Sequence, residues 1–185
     1  MSPHRQEWDA NLRAALSRCV GEVLTDVWVD EMGLYGPDEH PSFSHSQLEF
    51  VQALLLELRF ESGMTLQVSC WQDDYEFALW PRQVTYEQRI VSMTDPARTL
   101  FRVRRMDEFP LGSLKEVEWL ANDCANIHTI RLRMDSSEVI LRAGEVYENP
   151  DASLIIRDQD ESVLVFLNSD AHARTVFNSP VYRIE

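Results

Sequence analysis

Residues 51–70 read VQALLLELRFESGMTLQVSC and decide the fold. The apolar run over residues 51–60 predicts a long strand, and residues 64–71 predict a second strand after Glu61-Ser62-Gly63. Gly63 supplies the positive φ that a tight hairpin commonly needs. With an earlier strand-like run that begins at Leu24, these segments predict an antiparallel β-meander.

The same pattern recurs later in the chain. Residues 58–62 (LRFES) resemble residues 132–136 (LRMDS), which lie 74 positions further on, and residues 97–101 (ARTLF) resemble residues 173–177 (ARTVF), 76 positions further on. The shared order of these segments predicts two copies of one β-rich unit, over residues 21–107 and 112–185. The first copy carries an inserted loop over residues 32–47, which is rich in Gly, Pro, Ser and His.

A helix is expected before the first copy. Trp8, Leu12, Ala15, Leu16 and Cys19 recur at helical spacing and form one apolar stripe, so residues 1–20 predict an N-terminal helix that covers a sheet. The predicted fold class is therefore α+β: a leading helix followed by two antiparallel β-meander units whose apolar faces pack on each other in one compact body.

Charge restricts the partners. The chain has 185 residues with 17 Lys and Arg against 31 Asp and Glu, a formal net charge of −14, which argues against a nucleic-acid partner. There is no apolar run of 18 residues and no secretory signal, and three widely spaced cysteines indicate no disulfide framework. We expect a cytoplasmic protein with no membrane partner, as a monomer or weak dimer.

Catalytic and metal-binding patterns are weak. His40 and His45 flank a proline in the inserted loop without a compact ligand spacing, and Cys124 near His128 is the best of a poor set of nucleophile and base pairs. No glycine-rich phosphate loop is present. We therefore expect no catalytic residue, no metal and no cofactor, and a protein that is not an enzyme.

Acidic turns edged by aromatic residues carry the main functional prediction. Residues 72–74 and residues 147–151 are both turn-rich and acidic, and the repeat places them at the same end of the two units. Pairs such as Glu145 with Glu148 have no strong signature of acid and base catalysis. The predicted partner-binding residues lie in these turns and in the inserted loop: Asp38, Glu39, Trp71, Asp73, Asp74, Tyr75, Tyr147, Glu148 and Asp151.

In these acidic turns and in the two Leu-Arg-[Phe/Met]-[Glu/Asp]-Ser segments, the chain resembles bacterial immunity proteins that neutralise toxins of contact-dependent or type VI secretion systems. The resemblance implies an acidic inhibitor that docks on a basic toxin, or on another enzyme that handles nucleic acid or nucleotides, and blocks its active site. Two alternatives stay open. One is a small-molecule-binding or enzymatic domain with a pocket between the repeats, and the other is an assembly component of a secretion or phage-like system.

Overall fold

The computed structural model describes residues 10–11, 13–35, 41–73, 76–85, 100–120, 128–149 and 151–179. Within these residues the protein is mostly β, with 58% strand and 9% helix, and its main sheet is antiparallel and curled into a half-barrel. The strands are β1 (Val23–Met32), β2 (Leu34–Tyr35), β3 (Pro41–Ser42), β4 (Val51–Phe60), β5 (Thr65–Asp73), β6 (Glu76–Gln83), β7 (Phe101–Arg105), β8 (Gly112–Ser113), β9 (Glu116–Trp119), β10 (Thr129–Arg133), β11 (Glu138–Glu148) and β12 (Leu154–Phe166).

Ten of these strands form one sheet. Its order is β6-β5-β4-β12-β11-β10-β9, while β1 pairs with β4 and also with β7 and β8. Strand β4 joins the two halves, because Leu55–Arg59 pair with β5 whereas Val51–Ala53 pair with β12. Strands β2 and β3 form a separate two-stranded sheet.

Strands β4 and β10, which begin the two repeated segments, each pair with an earlier strand in a similar local register. Val27 of β1 lies opposite Leu58 of β4, and Val117 of β9 lies opposite Leu132 of β10. The next pair along each ladder joins an acidic residue to an arginine. These local registers agree with the sequence repeat, and the division of the whole chain into two copies stays a prediction.

The main core lies on the inner face of the curled sheet. Buried side chains of β1, β4, β5, β6, β10, β11 and β12 meet there, and the first helix and the turn after it add Leu16 and Cys19, which are both fully buried. A second apolar cluster includes Ile140, Leu164 and Phe166 and lies against the segment around Phe50. Alternation along the strands produces this arrangement because successive side chains point to opposite faces of the sheet.

The α+β prediction is wrong. The two helices of the described chain are short: α1 covers residues 10–11 and 13–17, and α2 spans Ser169–Arg174. The predicted units also join edge to edge, with Val163 of β12 opposite Ala53 of β4, so a single curled sheet replaces two stacked ones. No helix in the described ranges has the length and apolar character to cross a membrane.

The inserted segment also differs from the loop that was predicted. Residues 32–47 include β2 and β3, where Leu34 pairs with Ser42. Gly33 permits the close approach of this small sheet, because a Cβ at that position would lie 2.9 Å from the carbonyl oxygen of Ser42.

Candidate binding surface on the β11–β12 hairpin

The β11–β12 hairpin contains an irregularity that places acidic residues side by side. Ala143 pairs with Val163, but the next residue, Gly144, pairs with Asp158, so residues 159–162 are extra on β12. We call residues 159–162 the β12 bulge. Gln159 has a φ of 56°, in the left-handed region, and Gly144 lets the strands approach closely, because a Cβ there would lie 2.6 Å from the carbonyl oxygen of Arg157.

Three carboxylates meet at the bulge. Glu145 of β11 is only 9% exposed and Asp160 is similarly buried, whereas Glu161 is exposed. Burial, together with repulsion from Asp160 and then Glu161, raises the pKa of Glu145 to about 7. Glu145, Asp160 and Glu161 are called the acidic cluster below.

One cation lies close to the acidic cluster, and it is held by an aromatic ring. The guanidinium of Arg157 sits 4.2 Å from the ring centre of Tyr147, in a cation–π contact, and lies opposite Glu145 in the β-ladder. The Tyr147 hydroxyl donates a 3.1 Å hydrogen bond to Asp160 Oδ2, and burial, followed by repulsion from Glu145 and Asp160, raises the pKa of Tyr147. Arg157 therefore lowers the local negative charge without cancelling it.

The end of β5 lies against the bulge. Cys70 Sγ donates a 3.0 Å hydrogen bond to the carbonyl oxygen of Ser162, and burial followed by repulsion from Asp160, Glu145 and Glu161 raises the pKa of the thiol. Trp71, the next residue, is 42% exposed. The β5–β6 and β11–β12 hairpins thus come together, and an exposed aromatic side chain follows the point of contact.

The predicted site residues have different outcomes. Trp71 is exposed on β5, and Glu148 is exposed at the end of β11. Tyr147 is half-buried and bonded to Asp160, so it is packed rather than projecting. Asp151 accepts hydrogen bonds from the Ser153 hydroxyl and backbone N–H, which lower its pKa and fix the turn.

The remaining predicted residues lie at the edge of the described ranges or outside them. Asp73 ends β5 and pairs with Glu76 of β6. Asp38, Glu39, Asp74 and Tyr75 lie outside the described residues.

Sequence reasoning missed Asp160 and Glu161, and it considered Glu145 only as a catalytic carboxylate. The sequence does show a local excess of negative charge that could have indicated this cluster, because residues 144–162 contain six carboxylates and a single cation, Arg157. The sequence did not reveal the register shift that brings Glu145 next to residues 160–161, because that shift depends on pairing across the hairpin.

Two of the weaker chemical candidates, His128 and His45, lie in the described residues. His128 is buried, and its Nδ1 lies 3.0 Å from the carbonyl oxygen of Phe77, so its ring is held inside the fold. Cys124 and His40 lie outside the described residues, and His45 lines a surface cavity. In the part of the chain that the structure describes, no three His, Cys, Asp or Glu side chains are grouped to hold a metal ion.

Comparison with known proteins adds no relative to this picture: the chain matches no family model, no curated protein and no solved structure.

Proposed function

We propose that this protein is an acidic binding inhibitor of the immunity type, which docks the surface around the acidic cluster onto a basic partner and covers the partner's active site. One observation carries the proposal: Glu145, Asp160 and Glu161 meet at the β12 bulge beside a single cation that is stacked on Tyr147. In the free protein these carboxylates repel one another. A cationic side chain of a partner would relieve this repulsion, which makes the free energy of binding more favourable.

Neighbouring features support a protein partner. Trp71 is an exposed aromatic side chain on β5, the strand that contacts the β12 bulge through Cys70, and large aromatic residues are frequent anchors of interfaces. Glu148 and Asp151 extend the negative surface toward the tip of the hairpin. The net charge of −14 would attract a basic partner over a longer range and speed the encounter.

The proposal includes a cytoplasmic location and a cognate toxin as the partner. Support comes from the resemblance to immunity proteins in the acidic turns and from the two cysteines of the described chain, Cys19 and Cys70, which are free thiols. Such an inhibitor acts by covering a site on the other protein and needs no catalytic residue of its own.

The test begins with the partner. The tagged protein is used to capture proteins from its native lysate at low salt, the captured proteins are eluted by rising salt, and the activity of the recovered basic protein is assayed with and without this protein. The proposal predicts a basic enzyme domain that loses activity at an equimolar ratio. Recovery of a basic protein whose activity is unchanged at saturation would reject inhibition, and an empty eluate would reject charge-driven docking.

A double variant identifies the surface. Asp160→Asn with Glu161→Gln removes two charges at the bulge, and Glu61→Gln with Asp107→Asn removes two charges at exposed positions elsewhere. Glu61 lies in the turn that precedes β5, at the opposite end of that strand from Asp73. The first double variant is expected to inhibit at least about tenfold less well, while the second is expected to behave like the wild type.

A further inference from the structure

A surface cavity lies between strands β1 and β7 and the segment that leads from β3 into β4. Its volume is about 340 Å³, within the range of small-molecule sites. One wall is apolar and includes Leu34, Leu48 and Phe50, and the opposite wall carries Glu31, Arg102 and Arg104. All of its lining residues except Glu108 belong to the first predicted unit, residues 21–107, so this is not the pocket between repeats that the sequence raised as an alternative.

Glu31 organises the charged wall. Its side chain is 4% exposed, and its Oε2 accepts hydrogen bonds from Arg102 Nε at 2.7 Å and from Arg104 Nε at 2.6 Å. Arg104 also donates from both of its terminal nitrogens to Glu108. Arg104 is therefore fully engaged by protein acceptors, and the two arginines are fixed side by side.

Arg102 differs from Arg104 in the hydrogen-bond donors that it leaves unused. Its guanidinium is held by Glu31 at Nε and by the ring of Phe43, whose centre lies 4.2 Å away. Among the described residues, none accepts a hydrogen bond from Arg102 Nη1 or Nη2. A guanidinium fixed in this way presents two parallel N–H donors, which match the two oxygens of a carboxylate.

We propose that this cavity binds a small carboxylic acid with an apolar tail, whose carboxylate pairs with the terminal nitrogens of Arg102 and whose tail lies against Leu34, Leu48 and Phe50. The unused donors of Arg102 favour a ligand with acceptor oxygens, because Glu31 and Glu108 already have arginine partners and these four charges sum to zero. The carboxylate would bind at Arg102 and not at the acidic cluster, so this proposal does not depend on the proposed inhibitory function.

Phenylacetate, hexanoate, acetate and phenylacetamide are the probes, measured by protein-observed NMR titration up to about 10 mM. Phenylacetate or hexanoate is expected to saturate with a Kd of about 1 mM or tighter, with shifts at residues of the cavity wall. Phenylacetamide, which lacks the negative charge, and acetate, which lacks the tail, are each expected to bind at least about tenfold more weakly. The absence of saturation by both long acids, or equal binding of acid and amide, would overturn the proposal.

Two variants separate binding from folding. Arg102→Gln removes the free donors while Arg104 still neutralises Glu31, and Leu48→Trp fills the cavity without changing any charge. Both are expected to weaken binding of the long acids at least about tenfold. Arg133→Gln, at a half-exposed arginine of β10 that pairs with Glu116, is the matched control and is expected to bind like the wild type. Wild-type affinity in both cavity variants would contradict the assignment.

Discussion

The thiol of Cys70 donates a hydrogen bond to the carbonyl oxygen of Ser162, which lies 92 positions later in the chain. This contact joins the β5–β6 hairpin to the β12 bulge, and burial together with repulsion from the acidic cluster raises the pKa of this thiol. The strand that packs against the acidic cluster therefore comes from a distant part of the sequence. The charges and the packing of these residues lead to the predictions that follow.

Because of the acidic cluster, we expect the folded protein to lose stability as pH rises. The pKa of Glu145 is raised in the folded protein to about 7, so its contribution to stability is fully present below its unfolded pKa of 4.5 and is lost as pH rises through about 7. This contribution is measured by urea unfolding of the wild type and of Glu145→Gln at pH 5 and pH 8. The variant is expected to gain stability relative to the wild type at pH 8, and an equal difference at both pH values would exclude repulsion at the cluster.

For His172 we expect the opposite trend, which is a loss of stability as pH falls. Its Nε2 lies 3.2 Å from Arg142 Nη1, and burial followed by repulsion from Arg142 lowers its pKa below 6.5. A depressed pKa stabilises the fold above the unfolded pKa, and this contribution is lost as pH falls through 6.5 and then through the folded value. His172→Gln cannot titrate, so the wild type is expected to lose stability relative to it between pH 7 and pH 5. A difference that does not change with pH would show that His172 does not titrate as described.

Gly144 is expected to tolerate no side chain. A Cβ would lie 2.6 Å from the carbonyl oxygen of Arg157, a backbone atom, and 2.9 Å from Leu164 Cδ1. Gly144→Ala is expected to lower the free energy of unfolding by about 1–3 kcal/mol and to disturb the bulge, as thermal and urea unfolding would show. Gly63→Ala is the control: nothing lies within 4 Å of its added Cβ, and its φ of 86° alone costs about 1–2 kcal/mol. If Gly144→Ala leaves both stability and partner binding unchanged, the close approach is not essential.

Two thiols are expected to react slowly. Burial followed by repulsion from Glu22 raises the pKa of Cys19 to about 12, and burial also raises that of Cys70, so neither forms much thiolate at pH 8. In a Cys124→Ser variant, which keeps only these two cysteines, Ellman's reagent is expected to label less than about a tenth of the thiols in the time that completes labelling of the unfolded protein. Rapid labelling of the native variant would contradict the raised pKa values of the two thiols.

Local patterns were predictable from the sequence, and long-range arrangement was not. The run over residues 51–60 predicts β4 with its observed bounds, because an apolar run followed by a glycine turn has few other solutions. The fold class was wrong because pairing between Ala53 and Val163 depends on the edges of strands, which hydrophobic periodicity does not specify. The helical stripe around Leu16 correctly indicated helix but gave it too much weight in the fold.

The candidate surface was likewise predictable in its local features but not in its long-range contacts. The exposed Trp71 and the acidic turn around Glu148 were recognisable from residue type alone. The meeting of Glu145 with Asp160 follows from a four-residue bulge, and the pairing of Glu31 with Arg102 joins strands that are 71 positions apart. Such contacts require the folded sheet.

The central claim is that the acidic cluster attracts and holds a basic partner. Its most direct test is the association rate with the captured partner, measured by stopped flow at about 20 mM and about 200 mM salt, for the wild type and for Asp160→Asn with Glu161→Gln. We predict that the double variant associates at least about threefold more slowly at low salt and that this difference narrows at high salt. Equal association and dissociation rates for the two proteins at both salt concentrations would contradict the claim.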